Sequence, residues 1–212
     1  DYYEQCEADG ASDYAIESSK KANTQMTLIL GDPDRLKALA ADFVKHYDTR
    51  IAEGATIAGK AMFVCSNRSI AYAFYQEVIE RRPEWAEARA CAEGEELSTQ
   101  EQQEIKPMER IKLVMTRGKD DSETLYNMLG TKEYREELAK QFKNEKSNFK
   151  IAIVVDMWLT GFDVPELDTI YIDKPIQRHN LIQTISRVNR KSQGKEKGLV
   201  VDYIGIKKQM NL

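Results

Sequence analysis

Histidine and cysteine are scarce in this chain of 212 residues, with two of the first and three of the second. Cys6, Cys65 and Cys91 are scattered and odd in number. They form no CxxC pair and no Cys/His spacing of the kind that holds a metal, which points to a reducing cytoplasm rather than an oxidising compartment. His46 and His179 lie far apart in sequence and suggest no ligand cluster. No run of 18 apolar residues exists, so nothing in the chain reads as a membrane span, and no signal peptide is visible.

A phosphate-binding loop is also lacking. Gly54-Ala-Thr-Ile-Ala-Gly59-Lys60 fits G-x-x-x-x-G-K, but Ala61 stands where a Ser or Thr hydroxyl would hold magnesium. The segment also precedes an apolar strand pattern, whereas a phosphate loop follows a strand and opens a helix, so that backbone N–H groups converge on the anion. No acidic pair follows an apolar strand in Walker B fashion, and no nuclease motif is recognisable. Taken alone, the chain is expected to be neither an ATPase nor a nuclease.

What remains is sufficient for one large domain, or one domain with an appendage. Hydrophobic residues make up 42% of the chain, and the net charge is −4. That balance argues against a free-standing nucleic-acid binder, but the charge is uneven. Between Lys174 and Lys208 there are nine Lys/Arg and two Asp/Glu, a local +7 that leaves −11 for the rest. Such asymmetry fits either a surface facing a polyanion or a solvated basic tail.

Along the chain, the first 24 residues are polar and acidic, and residues 1–30 read as a linker or loosely packed arm. The domain is expected over 31–212. Asp32-Pro33 opens a helix by capping residue and first-turn proline. Leu36, Leu39, Ala40, Phe43, Val44, Tyr47 and Ile51 give that helix one apolar face. Apolar runs at Ala61–Cys65, Ile111–Met115, Ile151–Val155, Thr169–Ile172 and Leu199–Tyr203 read as buried strands. Helix patterns around Ile70–Ile79 and Leu138–Phe142 lie between them. Residues 82–110 interrupt the alternation and read as a surface insertion, with Ser98 and Glu101 in capping-box spacing. The alternation predicts an α/β fold: a predominantly parallel sheet of five or more strands with helices on both faces. Ligands bind at the carboxyl ends of strands in such sheets. Asp156, Gly161 and Asp163 lie just past one of these ends.

Arg187 and Arg190, in Gln183-Thr-Ile-Ser-Arg-Val-Asn-Arg190, are three apart and share one helix face. A guanidinium is a planar, permanently charged fork suited to phosphate oxygens, although a solvated face is the ordinary use of such a pair. In order and spacing, the motifs resemble the second, RecA-like motor lobe of superfamily 2 helicases. Phe63-Val-Cys-Ser-Asn-Arg68 is similar to motif IV, Asp156-Met-Trp-Leu-Thr-Gly-Phe-Asp-Val-Pro165 to motif V, and Gln183, Arg187 and Arg190 to motif VI. Arg135-Glu-Glu-Leu-Ala-Lys-Gln-Phe142 resembles the helix that precedes motif V. Tyr171-Ile-Asp-Lys-Pro175, Ile185-Ser-Arg-Val-Asn-Arg190 and Gly198-Leu-Val-Val-Asp-Tyr-Ile-Gly205 narrow the resemblance to the R (restriction) subunit of type I restriction–modification enzymes.

The resemblance implies roles. Arg187 and Arg190 would be arginine fingers to ATP, with Gly161, Asp163 and Gln183 near the nucleotide. Ser66, Asn67, Arg68, Asp156 and Trp158 would lie toward the DNA. ATP and Mg2+ would be bound mainly by a first motor lobe, absent from this sequence. Partners implied are double-stranded DNA, that lobe and a nuclease domain of the same subunit, and the modification and specificity subunits. No membrane is implied. Val155 stands where many helicases have Thr, which removes one hydroxyl contact to a DNA phosphate. Trp158 has two readings, stacking on a base or sugar and half-buried packing. The rival function keeps the fold and makes the lobe a degenerate DNA-binding or assembly module. A doubly wound small-molecule domain is the third reading, opposed by the absence of a Gly-rich strand–helix turn.

Overall fold

Among the described residues, five strands pair in parallel into a single sheet: β1 (Ala61–Cys65), β2 (Ile111–Val114), β3 (Ile151–Val154), β4 (Thr169–Asp173) and β5 (Leu199–Asp202), in the order β2-β3-β1-β4-β5. The computed structural model describes residues 2–8, 10, 12–176, 180, 183, 184, 186, 188 and 198–205. Seven helices have both ends among these residues: α1 (Tyr2–Ala8), α2 (Asp13–Leu30), α3 (Pro33–Ala52), α4 (Arg68–Arg81), α5 (Glu101–Glu104), α6 (Glu123–Leu129) and α7 (Lys132–Lys143), together with a 3₁₀ turn at Pro83–Ala86; residues 180, 183, 184, 186 and 188 are helical as well. The expected α/β architecture is thus the one adopted.

Side chains alternate across the strands, and the two faces bury different helices. Phe63, Leu113, Ile153 and Tyr171 point toward α3, α4 and α6, where they meet Phe43, Phe74 and Leu129. Phe43 packs edge-on against Phe63 and Tyr171, with ring centroids 5.2 and 4.8 Å away. Met62, Val64, Val154, Ile170 and Ile172 point to the other face, against Leu138 and Phe142 of α7, together with Phe149 and Val188. A sheet covered on both sides needs strands apolar on both sides, which is why they read as continuous apolar runs.

The local signals act as expected at several helix starts. Asp32 caps α3, its Oδ1 accepting from Arg35 N at 2.9 Å, and Pro33 occupies the first turn. Ser98 and Glu101 form the reciprocal bonds of a capping box ahead of α5. Ile51, expected on the buried face of α3, is instead 42% exposed, because the helix there runs past the edge of the core. The segment 82–110 is mostly exposed between residues 87 and 104, but it is anchored in the core at both ends by Trp85, Ile105 and Met108. Residues 2–8 and 13–30 are helical, and the side chains of 13–29 are largely exposed. Helix α6 has no counterpart among the expected elements, although Ser122 caps it by accepting from Leu125 N. Among the described residues, no helix is long and apolar enough to cross a membrane.

Candidate functional site

All five strands run the same way, so their carboxyl ends form one edge. Three loops from the motif-bearing segments meet there. The turn Ser66–Arg68 follows β1, the segment 155–168 follows β3, and Asp173-Lys174 ends β4. Because β1 lies between β3 and β4, the Ser66–Arg68 turn sits between the other two.

Two of the residues expected to touch DNA are already committed. Asn67 caps α4, its Oδ1 accepting from Ile70 N at 2.9 Å. Arg68 Nη2 donates to both oxygens of Asp121 at 2.7 Å, and Nη1 donates to the Thr116 carbonyl. Burial pushes the Asp121 carboxyl up, but Arg68 and the Gly118 N–H outweigh it and hold it below the usual carboxylate range. Arg68 therefore ties α4 to the loop after β2. Ser66 Oγ is buried with no hydrogen-bond partner among the described residues.

The loop after β3 is shaped by two backbone positions and an aromatic stack. Trp158 has φ +65°, a left-handed conformation uncommon for a residue with a side chain. Gly161 has φ +71°, where any Cβ would be strained. The Trp158 ring stacks on Phe162 at 4.3 Å and lies 5.5 Å from Phe142 of α7. The half-buried indole is thus engaged in packing. Beyond the loop, Val164 and Leu167 are buried and anchor its descent to β4. Asp156 and Asp163 are exposed.

Lys174 joins this loop to β4. Its Nζ donates to the Val155 carbonyl at 2.9 Å and to Asp156 Oδ1 at 2.5 Å. The Tyr171–Pro175 motif includes it, but no spacing in the sequence assigns a lysine at a strand end a partner. Its neighbour Asp173 points the other way and pairs with Arg35 at the start of α3. Buried Cys65 lies alongside, and burial followed by the Asp173 charge pushes its thiol well up.

Gln183 is exposed on a helical turn in which Thr184 Oγ1 donates to the Asn180 carbonyl. Thr184 and Val188, four apart, are buried on its inner side. A Cβ at Gly198 would collide with the Val188 backbone, so the approach to β5 requires glycine there. Arg187 and Arg190 lie outside the described residues.

The Gly54–Lys60 segment lies at the opposite, amino-terminal edge. Asp168 accepts from Thr56 Oγ1 at 2.6 Å and from Ile57 N at 3.0 Å, and Lys60 is buried against Glu166. It runs into β1 and not into a helix, so it cannot present a ring of N–H groups to an anion. A cavity of about 460 Å³ at that edge is lined by Arg110, Lys150 and Glu93, away from the motif loops. Among the described residues, the edge that carries the motif loops thus presents an exposed loop and helix, and the Gly54–Lys60 segment lies at the other end of the strands.

Comparison with known proteins agrees with this geometry. Residues 58–205 match the family described as type I restriction enzyme subunit R domain 3. The chain is 38% identical over 185 residues to the type I restriction enzyme HindI endonuclease subunit of Haemophilus influenzae, covering 86% of this chain and 16% of that one. It is 37% identical over 191 residues to the endonuclease subunit assigned to type I restriction enzyme MjaIXP of Methanocaldococcus jannaschii, again covering 16% of the longer chain. A solved fragment assigned as an HsdR subunit of a type I restriction enzyme from Vibrio vulnificus shares the fold, with a TM-score of 0.53 at 12% identity over 83% of this chain and 29% of that one. A parallel five-stranded RecA-like lobe with its motif loops along one edge, matched across most of its length, places the chain in the type I restriction enzyme R-subunit family, as its domain 3.

Proposed function

We propose that the chain is the second motor lobe of an ATP-dependent DNA translocase within a restriction subunit. It supplies one wall of a nucleotide site whose phosphate cradle belongs to a first lobe. Arg187 and Arg190 act as arginine fingers on the transferring phosphoryl group, a role that can be worth ~10³–10⁵ in rate. Gly161, Asp163 and Gln183 lie beside the nucleotide. ATP with Mg2+ supplies the phosphoryl group and the neutralising cation. The observation that carries this reading is the gathering of the β1, β3 and β4 loops on one sheet edge, with Gln183 outward on its helix.

The DNA path runs along the same edge. Ser66, Asp156 and Trp158 flank it, while Asn67 and Arg68 set the turn's shape from within, since their side chains already hold α4 and Asp121. The partners are double-stranded DNA, the first lobe and nuclease domain of the same subunit, and the modification and specificity subunits.

Steady-state phosphate release by the intact subunit, with and without duplex DNA, tests the reading. The chain by itself should show no DNA-stimulated turnover. Arg190→Ala in the intact subunit should abolish it with folding unchanged. Normal turnover by that variant would remove the motor assignment and leave the rival, a DNA-binding or assembly module.

A further inference from the structure

Adjacent residues at the end of β4 grip two different parts of the domain. Asp173 pairs with Cys65 in the β1–β4 register and faces α3, where Arg35 meets it. Lys174, one residue past the strand, turns instead toward the loop after β3. Neighbouring strands lie about 4.8 Å apart, so β3 is roughly 10 Å from β4, with β1 between them. The Lys174 side chain spans that gap over the end of β1 and reaches the first residues of the loop after β3.

The two bonds it makes there differ in kind. The Asp156 carboxylate is 84% exposed, so its pairing with Lys174 is screened by water. Lys174 is 18% exposed and its bond to the Val155 carbonyl satisfies a backbone acceptor where β3 ends and the ladder stops. The carbonyl bond therefore fixes geometry, and the carboxylate bond adjusts charge. An exposed carboxylate on an edge that meets phosphates would repel them, and an ammonium held 2.5 Å away offsets it.

We propose that Lys174 is a positioning residue for the 155–163 loop. By strapping β4 to the Val155 carbonyl across β1, it sets the direction in which the loop leaves the sheet, and so where Gly161 and Asp163 stand. It also masks the charge of Asp156. This inference rests on the motor reading given above.

Amide hydrogen exchange on this chain, with ATP turnover of the intact subunit, tests it. Lys174→Met should raise exchange at 156–158 about tenfold, the loss of one charged hydrogen bond, while amides of β1 and β3 stay protected. Lys174→Arg keeps a donor within reach of the carbonyl and should restore most of that protection. Asp156→Asn should change exchange least. In the intact subunit, Lys174→Met should lower DNA-stimulated kcat about tenfold at unchanged KM for ATP, and Lys174→Arg should recover it. Unchanged loop exchange in Lys174→Met overturns the inference. Raised exchange with unchanged kcat, in a preparation where Arg190→Ala is inactive, also overturns it while sparing the motor reading. Full activity of Arg190→Ala would instead count against the motor reading itself.

Discussion

Arg35 and Asp173 join the first turn of α3 to the last residue of β4. Arg35 Nη1 donates to Asp173 Oδ2 at 3.0 Å, Nη2 donates to Oδ1, and Nη1 also reaches the Leu30 carbonyl. The carboxylate is fully buried and the guanidinium is 24% exposed. The hydrogen bond to Asp173 raises the Arg35 pKa, so the guanidinium stays charged throughout the physiological range.

The asymmetry in burial predicts an asymmetry in cost. Arg35→Met leaves a carboxylate with no access to water and should destabilise by ~3–5 kcal/mol. Asp173→Asn leaves a guanidinium that water still reaches, and the cost should be lower, ~1–3 kcal/mol. Urea denaturation of both variants measures this. Equal costs would mean that the pocket relaxes enough to hydrate Asp173.

Lys60 and Glu166 invert the arrangement, with the buried partner now the cation. Their charged atoms are 3.5 Å apart, Lys60 is fully buried and Glu166 is 25% exposed. Burial first, opposed by Glu166, lowers the Lys60 pKa. Glu166 Oε2, the oxygen facing Lys60, is buried without a hydrogen-bond partner among the described residues, although the side chain as a whole still reaches water. Lys60→Met removes the desolvated charge and should cost less than losing Glu166, ~0–2 kcal/mol. Glu166→Gln strands the ammonium and should cost ~2–4 kcal/mol. A large loss in Lys60→Met, by the same denaturation assay, would contradict the placement of Lys60 as a purely structural residue.

Lys150 gives the chain a pH dependence on the alkaline side. Burial first, then the nearby Lys60 charge, brings it from 10.5 down to about 8. The sign follows from proton counts. Below pH 8 both states hold the proton, and the folded chain carries the full cost of the buried charge. Between about 8 and 10.5 the unfolded chain binds more protons, so stability rises with pH. The rise attributable to this group should be ~1–3 kcal/mol. Lys150→Met should be the more stable protein near pH 7, with its advantage shrinking toward pH 10.5. A difference between the two proteins that is constant with pH would refute the assignment.

For the arginines of the Gln183 segment, the expected signature is non-additivity. Arg187→Ala and Arg190→Ala should each lower turnover of the intact subunit by orders of magnitude, ~1.4 kcal/mol per tenfold. The double variant should fall far short of the product of the two effects, because the pair acts as one unit. Lysine at either position should not rescue activity, since an ammonium lacks the bidentate fork. Turnover close to normal in both single variants would return the pair to a solvated helix face.

The sequence alone determined the strands, the helix starts at Asp32 and the capping box at Ser98, and the parallel sheet. These follow from local rules: apolar runs for doubly covered strands, and side-chain oxygens that satisfy the first free N–H groups of a helix. It also rejected the Gly54–Lys60 loop from the absent hydroxyl and the order of elements. What it could not determine were contacts between residues far apart in the chain. Asn67 and Arg68 matched a motif, and only the packing of α4 against the loop after β2 showed their side chains to be engaged. That Phe142 and Phe162 stand beside the Trp158 ring is likewise visible only in the fold. Lys174 lies within the Tyr171–Pro175 stretch, but that stretch says nothing of what its side chain holds. Its role arises because the strand order sets β1 between β4 and β3, and pairing across a sheet is decided by the burial of the whole core, not by any local stretch of chain.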